Sequence, residues 1–468
     1  MIHFFVTEDA YKRKEAAAVR QLQTLLAQGR PVSIKKNVKH IFKERDNAPN
    51  LDLRHFNRVI AIDTEKKVAA VEGMVSFHDL VEAALPLNLM PQAVPELRSI
   101  TVGGAIAGLG GQSSSFKYGL VHEMVTEFDL LTGEGKVVHC APNSNADLFY
   151  MLPNSYGSLG YVLRCHIRLN QVQPYVNVRF RRFNGPGPFF AAMDKEVRAG
   201  TADFIEGASF SPREYVLILG EMDEEPATAE KPLVPLYDPF FLKLRDPQAA
   251  GVTMTIKDYI WRWDPDAFWA TDQQNIFGSI LLNPLFRRTL GPAVLRSDRL
   301  IKIGKFRNRL RRKGQASFLF QEEKRREALI QDAAIPFANA EAFDTWLATE
   351  LQIYPLWYCP VKSMKPIGTY PLYKPGSKYV VDFGFYTSMD LDEDMDSFHY
   401  NRQIEKKLLE MDGLKCLYSD TFFGYDQFWS IYDKDKYDQV KSKYDPGNTY
   451  LDLYRKVVND PQPSVHEL

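Results

Sequence analysis

The sequence predicts an α+β protein of at least two domains, and three features carry that reading. The chain has 468 residues, more than one compact core accommodates. Up to about residue 170, helical and strand patterns alternate at short intervals. From about residue 175, longer β-branched and aromatic runs read as antiparallel strands. Hydrophobic residues make up 45 % and charged residues 25 %, as in an ordinary globular chain. A net charge of −1 gives no global field to gather nucleic acid. The cysteines (Cys140, Cys165, Cys359, Cys416) are scattered without metal-ligand spacing. Buried thiols in a reducing compartment are expected, with no metal site. No run reaches the roughly 18 apolar residues of a membrane span, and the opening residues lack an apolar stretch of signal-peptide length. A cytoplasmic protein, soluble or peripherally attached, is the expectation.

The elements follow in order. Residues 10–28 space Ala17, Val19, Leu22, Leu25 and Leu26 on a helical stripe, with Gly29 and Pro31 to end it. PVSIKK is a short strand leading into a lysine-rich turn containing Lys35, Lys36, Asn37, Lys39 and His40. RVIAID (58–63) and KVAAVEG (67–73) read as a hairpin. SFHDLVEAALPLNL sets Phe77, Leu80, Val81 and Ala84 on one helical face until Pro86 interrupts. EFDLLTGEGKVVHCA is a strand pair about a Gly133–Gly135 turn. Asn143 to Asp147 offer N-cap chemistry for the helix after them, and YVLRCHIRL (161–169) is a strand.

Beyond residue 175, VNVRFRRF, FIEGASFS and EYVLILGEM read as antiparallel strands, and residues 224–250 as an acidic, proline-rich surface insertion. An aromatic stretch follows, with Trp261, Trp263, Phe268, Trp269, Phe277 and Phe286, and then a basic run with six Lys or Arg from Lys305 to Lys313. Two readings stand for this pair: a buried helical lid beside a solvated charged face, or a lid over an apolar substrate with the basic helix resting on anionic lipid. The last third alternates helix and strand. Tyr444-Asp445-Pro446-Gly447-Asn448 makes a turn, and the residues after Val458 are polar and expected to fray.

The chain is organised around residues 95–119, PELRSITVGGAIAGLGGQSSSFKYG. They hold six glycines (Gly103, Gly104, Gly108, Gly110, Gly111, Gly119) and the serine run Ser113-Ser114-Ser115. Glycines let another group approach the backbone closely, and free N–H groups with hydroxyls make a concavity for phosphate oxygens. A ligand-free glycine-rich turn is the plain alternative. A second cluster, Gly157-Ser158-Leu159-Gly160, follows about 40 residues on.

The pair of clusters resembles the FAD-binding domain of the vanillyl-alcohol oxidase and p-cresol methylhydroxylase superfamily. PELRSITVGG, SSSFKYGL, DLFYMLPNSYGSLGYV and IYPLWYCP further resemble its Δ24-sterol reductase (24-dehydrocholesterol reductase) branch, from about Ser33 to Tyr454. The resemblance implies a two-lobed FAD-binding (PCMH-type) domain at 1–175. An antiparallel-sheet cap at 176–410, with the helical insertion at 255–315, would follow it. A segment returning over the flavin at 411–458 and a tail at 459–468 complete the expected division. Thr101, Val102 and the first glycine cluster, Gln112 with the serine run, and Tyr118 would line the flavin on one side. Gly157, Ser158, Gly160, Tyr161 and Val162 would lie on the other. Relatives often carry a glycine-rich phosphate loop, and sometimes a flavin-linking histidine, at the first turn. This lysine-rich turn departs from that pattern, so non-covalent FAD is expected. Sterol reductases of the branch carry an N-terminal membrane anchor, and a protein without one is the expectation here.

The implied activity is reduction of an isolated C=C bond in a lipid (a sterol side chain, or a methylene or unsaturated acyl chain), with NADPH recharging the flavin. An unactivated alkene accepts hydride only if an acid protonates it, so the site needs a general acid, exclusion of water and aromatic faces. Glu206, Tyr354, Tyr418 and Asp420 are the candidate acids. Glu206 lies between apolar neighbours, although pairing with Arg181 or Arg182 would leave it merely structural. The alternatives are an FAD-dependent oxidase or dehydrogenase of an alcohol or sugar, including a prenyl-phosphoryl sugar, and a non-catalytic flavoprotein binding a lipid or partner.

Overall fold

The computed structural model describes residues 1–36, 49–227, 229–266 and 325–459, with isolated positions between 285 and 299. The turn with Asn37, Lys39 and His40, the aromatic residues from Phe268 to Phe286 and the basic run Lys305–Lys313 lie outside the described residues.

The first seventeen strands in chain order divide between two large sheets and one small one. β1 (Ile2–Phe4), β4 (Val59–Asp63), β5 (Val68–Glu72), β6 (Leu89–Pro91), β7 (Val125–Leu131), β8 (Val137–Cys140) and β9 (Tyr161–Gln171) form a seven-stranded sheet ordered β1-β4-β5-β9-β7-β8, with β6 also on β9. β2 (Ser33–Lys35) and β3 (Asn50–Asp52) make a separate parallel pair. The expected hairpins pair antiparallel, β4 with β5 and β7 with β8.

The opening helix, Glu8–Leu26, starts at the Thr7 N-cap and buries Tyr11, Ala18 and Leu22. Ala17, placed on the apolar stripe by spacing alone, is exposed. Helix Phe77–Ala84 buries the four residues its spacing selects. Asn145 stands at the N-cap of Ala146–Met151, but its side chain makes no cap bond. Its amide instead donates to the His139 carbonyl and its oxygen accepts from Tyr444.

β10 (Tyr175–Phe183), β11 (Phe204–Ser211), β12 (Glu214–Asp223), β13 (Gly251–Thr255), β14 (Arg326–Pro336), β15 (Leu356–Lys362), β16 (Tyr379–Asp390) and β17 (Leu414–Lys415) form an eight-stranded sheet, ordered β13-β10-β12-β11-β15-β16-β14-β17 and antiparallel throughout. Alternation along the strands gives it two faces. Ile205, Leu217, Tyr358 and Phe383 pack with helices Pro186–Ala199 and Phe337–Trp346 in one core. Phe204, Val216, Trp357, Cys359 and Val380 face the first lobe, in a core continuous with Val71, Val102 and Val162. Helix Phe240–Arg245 buries Phe240, Phe241 and Leu244, so the stretch read as a surface insertion anchors itself in this core. Of the described residues, no helix is long and apolar enough to cross a membrane.

Candidate active site

Three loops of the first lobe meet where the sequence concentrates glycine. Gly103 donates its N–H to the Gly73 carbonyl at 2.8 Å, and a Cβ on Gly103 would stand 2.8 Å from that same oxygen. A Cβ on Gly73 would in turn come within 1.9 Å of the Val162 carbonyl. The helix Val102–Gly108 therefore presses its first turn onto Gly73, which presses onto the start of β9. Tyr156, just ahead of the second cluster, closes the far end by donating its hydroxyl to the Gly108 carbonyl. Gly110 and Gly111 follow that helix end, and Tyr118 and Gly119 end the short helix Ser115–Tyr118.

The serine run is engaged inside the protein. Ser113 bonds Tyr259 and accepts from Arg262, Ser114 donates to the Gln92 carbonyl, and Ser115 accepts from the Gln112 N–H. The Ser113 carbonyl takes the Ile205 N–H of β11. A segment read as a phosphate cradle thus serves as the joint between the lobes.

The C-terminal segment grips the second cluster. Lys441 donates to the Ser158 and Tyr450 carbonyls and pairs with Asp445 at 2.6 Å. Lys456 donates to the Gly157 carbonyl and to the Tyr161 hydroxyl. Both lysines are buried.

Opposite these loops, the inner face of the eight-stranded sheet carries acids. Glu206 on β11 is fully buried against Arg262, also fully buried, at 2.7 Å. It accepts in addition from the indole N–H groups of Trp263 (3.0 Å) and Trp357 (2.9 Å). Asp332 on β14 and Asp382 on β16 share the same face, across from Gly384 and Ala334 respectively. Tyr418 bonds Asp332 and lies 3.4 Å from the Tyr386 hydroxyl. Glu96 reaches in from the PELRS stretch.

Desolvation raises the Asp332 carboxyl to about 6 and holds Glu96 and Asp382 well above the usual carboxylate range. The neighbouring acids push the last two further. All three residues keep partial exposure although burial governs them, which is the pattern of groups facing an enclosed cleft. Tyr156, just ahead of the second glycine cluster, lies within electrostatic reach of Asp332.

Residues 13–141 match the family described as FAD binding domain. The chain carries an FAD-binding domain. Over 406 residues it is 26 % identical to the Delta(24)-sterol reductase of Homo sapiens, covering 85 % of this chain and 76 % of the relative. The Delta(24)-sterol reductase of Arabidopsis thaliana is 26 % identical over 441 residues, 87 % of this chain and 76 % of its own. Cytokinin dehydrogenase 8 of Oryza sativa subsp. indica is 30 % identical over 150 residues, 31 % of this chain and 27 % of its own. Together these place the chain among FAD-binding oxidoreductases of α+β fold.

The first glycine cluster lies within the matched residues and the second shortly after them. Buried beside them, Gln112 Nε2, Ser155 Oγ and both ring nitrogens of His122 find no partner among the described residues. Such groups cost about 1–3 kcal/mol each unless a ligand or water satisfies them. Burial depresses the His122 imidazole to about 3, so it stays neutral between the rings of Tyr370 and Tyr373.

Of the four candidate acids, the structure brings Glu206 and Tyr418 to the cleft. Tyr354 lies on the other face of the sheet, toward Tyr215 and Asp344. Asp420 accepts from Asn459, and its carbonyl takes the Lys415 ammonium. Arginines 181 and 182 are not the partners of Glu206: Arg181 pairs with Glu196, and Arg182 donates to loop carbonyls. Arg262, Glu96, Asp332 and Asp382 escaped the sequence reading. A single acid inside an otherwise apolar strand, as in LIQDAAI and YVVDFGF, was the available signal.

Proposed function

We propose that this protein is an FAD-dependent reductase that uses NADPH to saturate an isolated C=C bond in a lipid, of which a Δ24 sterol side chain is the first to test. The acid cluster facing the glycine loops carries this reading. Carboxyls that burial makes hold their protons more tightly than usual can give a proton to an alkene, whereas a substrate-oxidising site needs a base. The similarity to Delta(24)-sterol reductases over most of the chain supports the same substrate class.

Thr101 to Gly104 and Gly157 to Val162 would hold FAD non-covalently, with Gln112 and Ser155 as polar contacts. When bound, FAD supplies the hydride chemistry. The chain's own residues do the rest. Trp357 and Tyr386 offer aromatic faces that stabilise developing positive charge. The continuous apolar core on the sheet's inner face excludes water from that charge. Glu206, already accepting three hydrogen bonds and paired with Arg262, fixes that arginine and both indoles and so shapes the wall.

The similarity to cytokinin dehydrogenase 8, confined to about a third of the chain, favours a second reading, a flavin-dependent dehydrogenase. Anaerobic mixing of the FAD-loaded protein with NADPH separates the two. Bleaching of the flavin absorbance, reversed by a Δ24 sterol, supports the reductase. Yellow protein that ignores NADPH and NADH but is bleached by an alcohol or sugar sinks it.

A further inference from the structure

Asp382 and Asp332 stand on neighbouring central strands of the cap sheet, and the register sets them diagonally on one face. Gly384, on the same face of β16, leaves space between them. A Cβ there would come within 3.1 Å of Asp332 Oδ1 and 2.9 Å of the Trp357 ring. The two carboxyls differ in what they hold. Asp332 receives the Tyr418 hydroxyl, and the N–H of Cys416 donates to its backbone carbonyl. Asp382, opposite Cys359 of β15, has a buried Oδ1 with no partner among the described residues.

We infer that Asp382 is the proton donor to the substrate alkene, and that Asp332, fixed by Tyr418, is the positioning residue whose negative charge keeps the proton on Asp382. This rests on the reductase reading above and assigns the acid within it. Two carboxyls with environments this different divide into an acid and a charge-bearing neighbour. In the step itself, the O–H bond of Asp382 breaks and the π pair of the alkene forms the new C–H bond. The adjacent carbon, left cationic, takes the hydride supplied by reduced FAD, with NADPH as the two-electron donor. The Asp382 carboxylate then regains a proton from solvent. Other groups facing the pair are Tyr386 on β16, Cys359 on β15, Cys416 and Tyr418 on the segment after β17, Glu96 on the PELRS loop and Tyr156 beside the second glycine cluster. Of these Glu96 is the rival acid.

The test compares FAD-loaded wild type with D382N, D332N and E96Q, separating bleaching by NADPH from recovery of colour with a Δ24 sterol. D382N is expected to lose about 10²–10⁴-fold in the recovery step and far less in bleaching. D332N is expected to keep recovery at low pH but to lose it at a lower pH than wild type, because Asp382 gives up its proton sooner without the neighbouring charge. Infrared difference spectra at pH 7 give a readout independent of turnover: the protonated-carboxyl band should lose intensity in D382N. Recovery near the wild-type rate in D382N, the large loss falling on E96Q, or no infrared change in D382N would each overturn the inference. If wild type bleaches but no unsaturated lipid restores its colour, the function proposed above fails instead, and the infrared comparison still decides whether Asp382 holds the proton.

Discussion

Glu206 shows how a single side chain can be legible in sequence with two roles left open. A carboxylate between apolar strand residues reads as a buried acid. The structure instead surrounds it with an arginine and two indoles. Removing one member of such a pair strands the other charge in the interior, which costs about 3–5 kcal/mol. Glu206→Gln is therefore expected to lower the unfolding free energy from urea titration by that order without shifting the pH profile of the alkene step. A shifted profile with unchanged stability would return Glu206 to the list of acids. His122 makes a second residue-level prediction. Its folded-state pKa is depressed to about 3, against about 6.5 unfolded. It therefore contributes stability that is present above 6.5 and lost as pH falls toward 3. From pH 7 to 5, His122→Phe should lose up to about 2 kcal/mol less stability than wild type.

The elements themselves were largely readable, because their apolar spacing and turn residues agree with the fold. Hairpins β4–β5 and β7–β8 and the helix Phe77–Ala84 stand where periodicity places them. What spacing did not carry was rotation and purpose. In the opening helix, Tyr11 and Ala18 turn inward in place of Ala17, since the parallel pair β2–β3 and the strand β9 choose the face. The glycines of the first cluster were visible, but the approach of Gly73 to Val162 spans 89 residues and has no local signature. Gly73→Ala is expected to spoil this junction: its Cβ meets backbone, which cannot rotate away. The variant should purify with little or no flavin and a lowered unfolding temperature. A fully yellow, equally stable protein would show that the loops yield.

At the scale of the molecule, one apolar core crosses from the FAD-binding lobe to the inner face of the cap sheet, so the two parts should unfold together. The acids between and beside them set the pH dependence. Burial pushes Glu123 up to about 7, and Asp332 and Asp344 to about 6. Raised folded-state values mean that the native state holds protons the unfolded chain has released. Their contribution is complete below about pH 4 and is lost as pH rises through 6 to 7, opposing His122 and the other histidines that burial depresses, His55, His78 and His166. Urea midpoints should therefore fall between pH 5 and pH 7.5, and a rise over that range would refute the assignment of these carboxyls. The architecture was legible from length and from the change of pattern near residue 175. The cleft was not, because its acids come from positions as distant as Glu96 and Tyr418, and only folding brings them face to face.

The grip of Lys441 and Lys456 on the Gly157–Ser158 carbonyls also carries a consequence for biosynthesis. A chain emerging from the ribosome presents both glycine clusters hundreds of residues before the lysines that hold the second one appear. Until helix Leu453–Val457 leaves the exit tunnel, that turn lacks its clamp. Cofactor capture should then follow the emergence of that helix, and a chain cut short before Lys441 should purify colourless.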